Sequence, residues 1–353
     1  MEYIIYEVKA DEKLEDIAEK HRVSAEDIKK SNPNVRIFKS FWGVEVVGCL
    51  QQLKIPQKNA SNTIVKIPKE DSLSFEKLAR FRCEQTNITK VLDNITFSST
   101  IKTQYLLSEA KEKLYKALHI LLEDYIPQVN PNELEVSFEL VKPIEFFKNN
   151  IKLILDTNGD IDKIINFKQI EREWIRFKKN ELPNINFFNQ IKAQKEEAAR
   201  DFIKMGNIEF SNESKFKEVL YKNLFYHIFL KANRGEKIEN YTFSQVSQLF
   251  PNQEITVKVN KTIVFEDENT IVFRLVGNLQ KDKISVEELK KQYDEIYKPM
   301  LKYSFTDYDY IYRITYTLSK STGVLLDGKV LLDEKIKNNF ECITQFDIKQ
   351  VEL

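Results

Sequence analysis

The chain has 353 residues, enough for two or three domains, and it balances 54 Lys and Arg against 54 Asp and Glu. A net charge of zero removes any whole-chain pull toward nucleic acid or an anionic membrane, and no apolar run reaches the roughly eighteen residues that would span a bilayer. Cys49, Cys83 and Cys342 are odd in number and far apart, a spacing that argues against a disulfide framework and suits reduced thiols.

In chain order, Tyr3 to Val8 is an apolar run that reads as a strand. Leu14, Ile17 and Ala18 recur at i, i+3, i+4 and predict an amphipathic helix. Ser24, placed to accept from the Asp27 amide, opens a second helix that stops at Asn32-Pro33-Asn34. Leu53 to Pro56 closes the segment as a short strand, ended by a proline that cannot donate to a ladder. The predicted order is β, α, α, β.

This order resembles the LysM module. The residues that carry the resemblance are Tyr6-Glu7-Val8, Leu14 with Ile17-Ala18, Val23-Ser24 with Asp27-Ile28, Asn32-Pro33-Asn34 and Leu53 to Pro56. It implies a small non-catalytic domain over residues 1–56 that binds glycans containing N-acetylglucosamine, such as peptidoglycan or chitin. The implied groove lies between Asp11-Glu12-Lys13 and the segment that begins at Asn32-Pro33-Asn34, which makes these six the glycan-binding candidates. The chain departs from the family at Asp11-Glu12-Lys13, where Gly-Asp-Thr is usual, so a charged side chain replaces a close-approach glycine. The closing loop is long, and its Phe38, Phe41 and Trp42 could stack on a sugar, anchor a protein partner or cover the module's core.

Residues 57–72 read as a linker. A β-rich half follows over 73–183, with Phe75, Phe81, Ile95, Phe97, Ile101 and Tyr105 spaced by even steps in places. Leu114 to Tyr125 fits either a helix or a buried strand. Ile151 to Ile165 is a hairpin turned at Asn158-Gly159, and Ile170, Trp174 and Phe177 mark a helix that ends before Pro183. Residues 184–250 form a helical insert of two helices, with Gly206 a natural stop. A second β-rich half over 251–353 carries its longest alternation from Tyr310 to Leu318. The expected fold is α+β: a LysM-like βααβ module, then a larger antiparallel β-rich region with a helical insert, as two halves of a curved sheet or a sandwich. The texture of this region resembles Bacteroidetes-type lipoprotein domains of unknown function.

No constellation of catalytic residues emerges. His21, His119 and His227 form no metal pair and adjoin no nucleophile, and the eight glycines do not cluster into a phosphate-cradling loop. Asp156, Asn158, Asp160 and Asp162 alternate as calcium ligands would, but Phe167 stands where a bidentate glutamate belongs. The expectation is a protein that is not an enzyme, with no catalytic residue, metal or cofactor. Its first reading is a binding protein for peptidoglycan or another N-acetylglucosamine polymer. The alternative is a structural or adaptor protein of a phage-tail-like or contractile secretion assembly, its first module binding protein; a wall-active effector ranks third. Without a signal peptide the chain is expected in the cytoplasm, and wall contact would need non-Sec export or lysis.

Overall fold

The computed structural model describes residues 3–8, 12–21, 23, 25–33, 35, 37–39, 45–47, 51–56, 73–110, 116–156, 159–233, 241–250 and 253–353. The chain divides into two units, Met1–Pro68 and Lys69–Leu353.

The first unit contains β1 (Tyr3–Glu7), β2 (Glu12–Lys13), α1 (Leu14–Lys20), α2 (Ala25–Ser31), β3 (Ile37–Lys39), β4 (Glu45–Val47) and β5 (Gln52–Pro56). β1 pairs antiparallel with β5, and β2, β4 and β3 make a separate three-stranded sheet. The simple βααβ order is thereby corrected: three further strands lie inside it. They are two or three residues long, too short to leave an alternating signal in the sequence. Leu14, Ile17, Ile28, Val47, Leu53 and Ile55 are the buried centre of this unit.

The second unit opens with three long strands, β6 (Phe75–Val91), β7 (Asn94–Ala110) and β8 (Lys116–Asn130). After α3 (Phe138–Lys148) come β9 (Asn150–Leu155) and β10 (Ile161–Ile164). Five helices follow: α4 (Phe167–Arg176), α5 (Asn186–Gln194), α6 (Glu196–Ser211), α7 (Glu213–Lys222) and α8 (Leu224–Asn233). Then come β11 (Tyr241–Val246), β12 (Glu254–Glu266), β13 (Thr270–Leu279), α9 (Val286–Ile296) and α10 (Lys298–Leu301). The chain closes with β14 (Tyr308–Ser319), β15 (Leu325–Ile336) and β16 (Phe340–Val351).

All eleven strands of this unit join one antiparallel sheet in the order β10-β9-β8-β7-β6-β16-β15-β14-β13-β12-β11. The expected pair of halves, or sandwich, with a single helical insert is therefore corrected. Helices also occur at α3 and at α9–α10, and the last strand sits between β15 and β6, joining what the sequence suggested were two halves. Phe340 lies opposite Val91 and Val351 opposite Arg80. A pairing between strands so far apart in the chain leaves no local trace in either.

One face of the sheet is apolar and covered. Along β14, Tyr308, Tyr310, Tyr312, Ile314, Tyr316 and Leu318 alternate at period two and are all buried, as one face of a strand must be. On β6, Ala79, Phe81 and Cys83 point the same way, while Arg82 and Glu84, on either side of Cys83, are exposed. The helices pack on the apolar face: Phe225 of α8 stacks on Tyr105 with ring centroids 4.0 Å apart and meets Phe81 edge-on at 6.1 Å. On the other face Ala110, Ala117 and Ile154 make a small buried cluster with Phe75, while the part crossed by β15, β16, β6 and β7 carries exposed charged side chains.

The helical stretch also differs from expectation. Four helices, α5 to α8, replace two, because Asn212 caps the start of α7 by accepting from the Lys215 amide and Asn223 accepts from the Phe225 amide at the start of α8. Gly206 stops nothing: α6 runs through it, and the glycine lets the Trp174 indole of α4 lie directly on the helix backbone.

Helix α7 seals one edge of the sheet. Glu213, Lys217 and Tyr221, four residues apart, share one face of the helix. Tyr221 Oη accepts from the Ile161 amide at 2.8 Å, Glu213 Oε1 accepts from the Ile164 amide at 2.9 Å, and Lys217 Nζ donates to the Asp162 carbonyl at 2.5 Å. The edge strand β10 thus has backbone groups satisfied by side chains where a further strand would otherwise bind.

Candidate functional site

In the first unit the candidate residues are spread over different roles. Glu12 and Lys13 form β2 and pair with Val47 and Val46 of β4, so the loop after the first strand is hydrogen-bonded to the segment that closes the module. Lys13 and Pro33 are exposed. Asn32 is buried: its Nδ2 donates to the Ile28 carbonyl at 2.8 Å and the Lys54 carbonyl at 2.6 Å, and its Oδ1 accepts from the Lys54 amide at 2.7 Å. The amide is spent fixing the end of α2 to β5. Phe38 lies in β3, and Asp11, Asn34, Phe41 and Trp42 lie outside the described residues. Asn32→Ala leaves the Lys54 amide and carbonyl without this partner and is expected to destabilise the first unit by about 2 kcal/mol. Earlier proteolytic cleavage within residues 1–56 of the full-length variant would report it.

Several titratable groups of the second unit are engaged inside the fold. His119 Nε2 lies 2.9 Å from Asn150 Oδ1, and His227 Nε2 lies 2.6 Å from Tyr312 Oη. Burial pushes the Cys342 thiol up to about 11 and the Cys83 thiol higher still, so both are protonated near neutrality. Among the described residues no group of three or more His, Cys, Asp or Glu could hold a metal ion. None of the helices among them is long and apolar enough to cross a membrane.

Glu334 of β15 is a carboxylate only 1% exposed. It accepts from Ser247 Oγ, from the Gln248 amide at 2.7 Å and from Tyr308 Oη at 3.0 Å. Burial raises its pKa, and these hydrogen bonds pull in the opposite direction. Ser247 Oγ in turn accepts from the Leu249 and Phe250 amides, so the carboxylate organises the turn that brings Phe250 into the core. This is an anchor closed to substrate.

The face opposite the main core holds a different kind of feature. A trough of about 680 Å³ crosses β15, β16, β6, β7 and β8, and two neighbouring rows of side chains line it. The first row is Lys329, Asp347, Glu84 and Lys102, each opposite the next on adjacent strands. The second is Asp327, Lys349, Arg82 and Gln104, with Asp124 beyond. Lys329 Nζ stands 3.4 Å from Asp347 Oδ1, Lys102 Nζ stands 3.7 Å from Glu84 Oε2, and Arg82 Nε donates to Gln104 Oε1 at 3.0 Å. Ile126, 53% exposed, is an exposed apolar member of the lining, Ile348 and Cys83 contribute from beneath, and no aromatic ring is among its described residues. Sequence reading missed this site. Its only local signal is charge at alternate positions of β6 and β16, which any solvated strand face also carries.

The fold and this site define an antiparallel sheet protein with a charged trough on the face opposite its main core. No protein-family model and no curated protein matches the chain. Among solved structures the chain is similar to one described as lipid–protein interactions in lipovitellin, with 7% identity and a TM-score of 0.30, covering 80% of this chain and 26% of that one. The chain thus spans about a quarter of the length of that structure, and a likeness at this level carries no argument about fold or function.

Proposed function

We propose that this chain is a non-enzymatic structural or adaptor protein of a larger assembly, and that its ligand is protein. The observation that carries the reading is the trough of the second unit. The trough across β15, β16, β6, β7 and β8 is lined by charged side chains, and its described lining residues include none of the aromatic rings on which a sugar stacks. The first unit supports the same reading over glycan recognition: the loops that would flank a sugar groove are paired through β2 and β4, and Asn32 is committed to its own backbone.

Incubation of the purified full-length chain with insoluble peptidoglycan and with chitin tests this. The protein is expected to remain in the supernatant with both. Saturable retention on either polymer would overturn the reading and restore the glycan one.

A further inference from the structure

Resting on the protein-binding reading, we infer that the trough is a docking groove for an extended segment of a partner protein that carries a basic and an acidic residue side by side. The argument starts from two unfavourable pairings. Where β16 lies against β6, Asp347 stands directly opposite Glu84, and two residues along Lys349 stands directly opposite Arg82. Like charges opposite each other destabilise a sheet, and here two such pairs are neighbours. Exchanging one residue type in either pair would relieve it. Further along the same seam the ordinary arrangement is present, Lys90 Nζ with Glu341 Oε2 at 2.8 Å. Glu76 opposite Glu109, between β6 and β7, is a further like-charge pair that stands by itself; in the trough an acidic and a basic pair adjoin, and such a doubled departure from local rules marks a site whose charges answer to something outside the fold.

The pairs also specify the ligand. Asp347 and Glu84 each hold a lysine on the outer side, Lys329 at 3.4 Å and Lys102 at 3.7 Å, so the cation site is the gap between the two carboxylates; the basic pair frames an anion site about 7 Å further along the strands. Successive side chains of an extended peptide point to opposite sides, so a peptide that crosses the strands between the two rows places one residue over each pair. A basic residue then faces Asp347 and Glu84, and its acidic neighbour faces Lys349 and Arg82. The trough spans four strand spacings, about 19 Å, which an extended segment of about six residues crosses. Backbone groups of the floor are engaged in the sheet ladders, so recognition falls to side chains and is sensitive to salt.

Fluorescence anisotropy on the full-length chain tests the inference, with a labelled, end-capped hexapeptide holding a central Lys-Glu pair. An all-alanine hexapeptide and phosphatidylcholine vesicles are the comparisons. The charged hexapeptide is expected to bind saturably, at least tenfold more tightly than the uncharged one and more weakly as salt rises. The double variant Arg82→Gln with Glu84→Gln leaves net charge unchanged and removes both like-charge pairs. It is expected to lose at least tenfold in affinity while its Tm is no lower than that of the native chain. Equal binding of the two peptides, binding to the vesicles alone, or undiminished binding by the double variant would overturn the inference. So would a fall in Tm accompanying the lost affinity, because the four charges would then belong to the fold. If the hexapeptide fails while the chain stays off both glycan polymers, the trough inference falls alone; retention on a polymer removes the reading beneath it.

Discussion

Gly206→Ala is expected to destabilise the second unit by about 3 kcal/mol, a cost at the upper end for a single added methyl. A Cβ at this position would overlap the far ring of the Trp174 indole, which lies against α6 and is itself held by a bond from its Nε1 to Asn207 Oδ1 at 3.0 Å. Neither partner can yield easily. Trp174 stacks on Phe210 at 5.1 Å and on Phe177 at 5.9 Å, so a shift of the indole is passed to both rings. Urea denaturation would show a lower midpoint with little change in slope. The second variant that isolates the cause is Trp174→Phe, which removes the ring that the new methyl strikes. The double substitution should cost less than the sum of the two single ones, and strict additivity would mean that the clash is not the source.

Loss of Glu334 is expected to be of similar size or larger, about 3–5 kcal/mol for Glu334→Ala. The substitution strips the acceptor from Ser247 Oγ, Tyr308 Oη and the Gln248 amide in a place where water cannot replace it. The same residue gives the unit a pH dependence with a definite sign. Burial raises the Glu334 pKa, so the folded state binds its proton more tightly than the unfolded state. That contribution is complete below the ordinary carboxylate pKa of about 4.3 and is lost as pH rises through the elevated folded value. Tm measured at increasing pH across this window should therefore fall more steeply for the native chain than for Glu334→Gln. The glutamine keeps one acceptor oxygen but turns an amide toward the Gln248 N–H, and its cost should lie below that of alanine.

How much of this was legible in the sequence depended on whether a signal is local. The hairpin of β9 and β10 was readable because Gly159 adopts φ of 81°, a value that its residue type advertises. The tyrosine alternation of β14 was readable for the same reason: period two is written into consecutive residues. The hairpin of β6 and β7 was not, since its turn residues Leu92 and Asp93 take φ of 50° and 64° without glycine or asparagine to announce them. The trough was illegible in a stronger sense. Arg82, Glu84, Asp347 and Lys349 are each ordinary surface charges, and only the pairing of β16 with β6 turns them into rows. Asn32 was singled out through a resemblance, yet its role is internal, a hydrogen-bonded tie to Lys54.

The clasp between α7 and the edge strand β10 links two hazards that are usually separate. Glu213, Lys217 and Tyr221 satisfy the outer backbone groups of that strand from one helix face, so the strand is shielded only while the helix is wound. Fraying of α7 under heat or mild denaturant would release a row of amide and carbonyl groups able to recruit the edge of another molecule. Loss of helix and the onset of insoluble self-association would then be one event, and concentration would decide whether unfolding could be reversed.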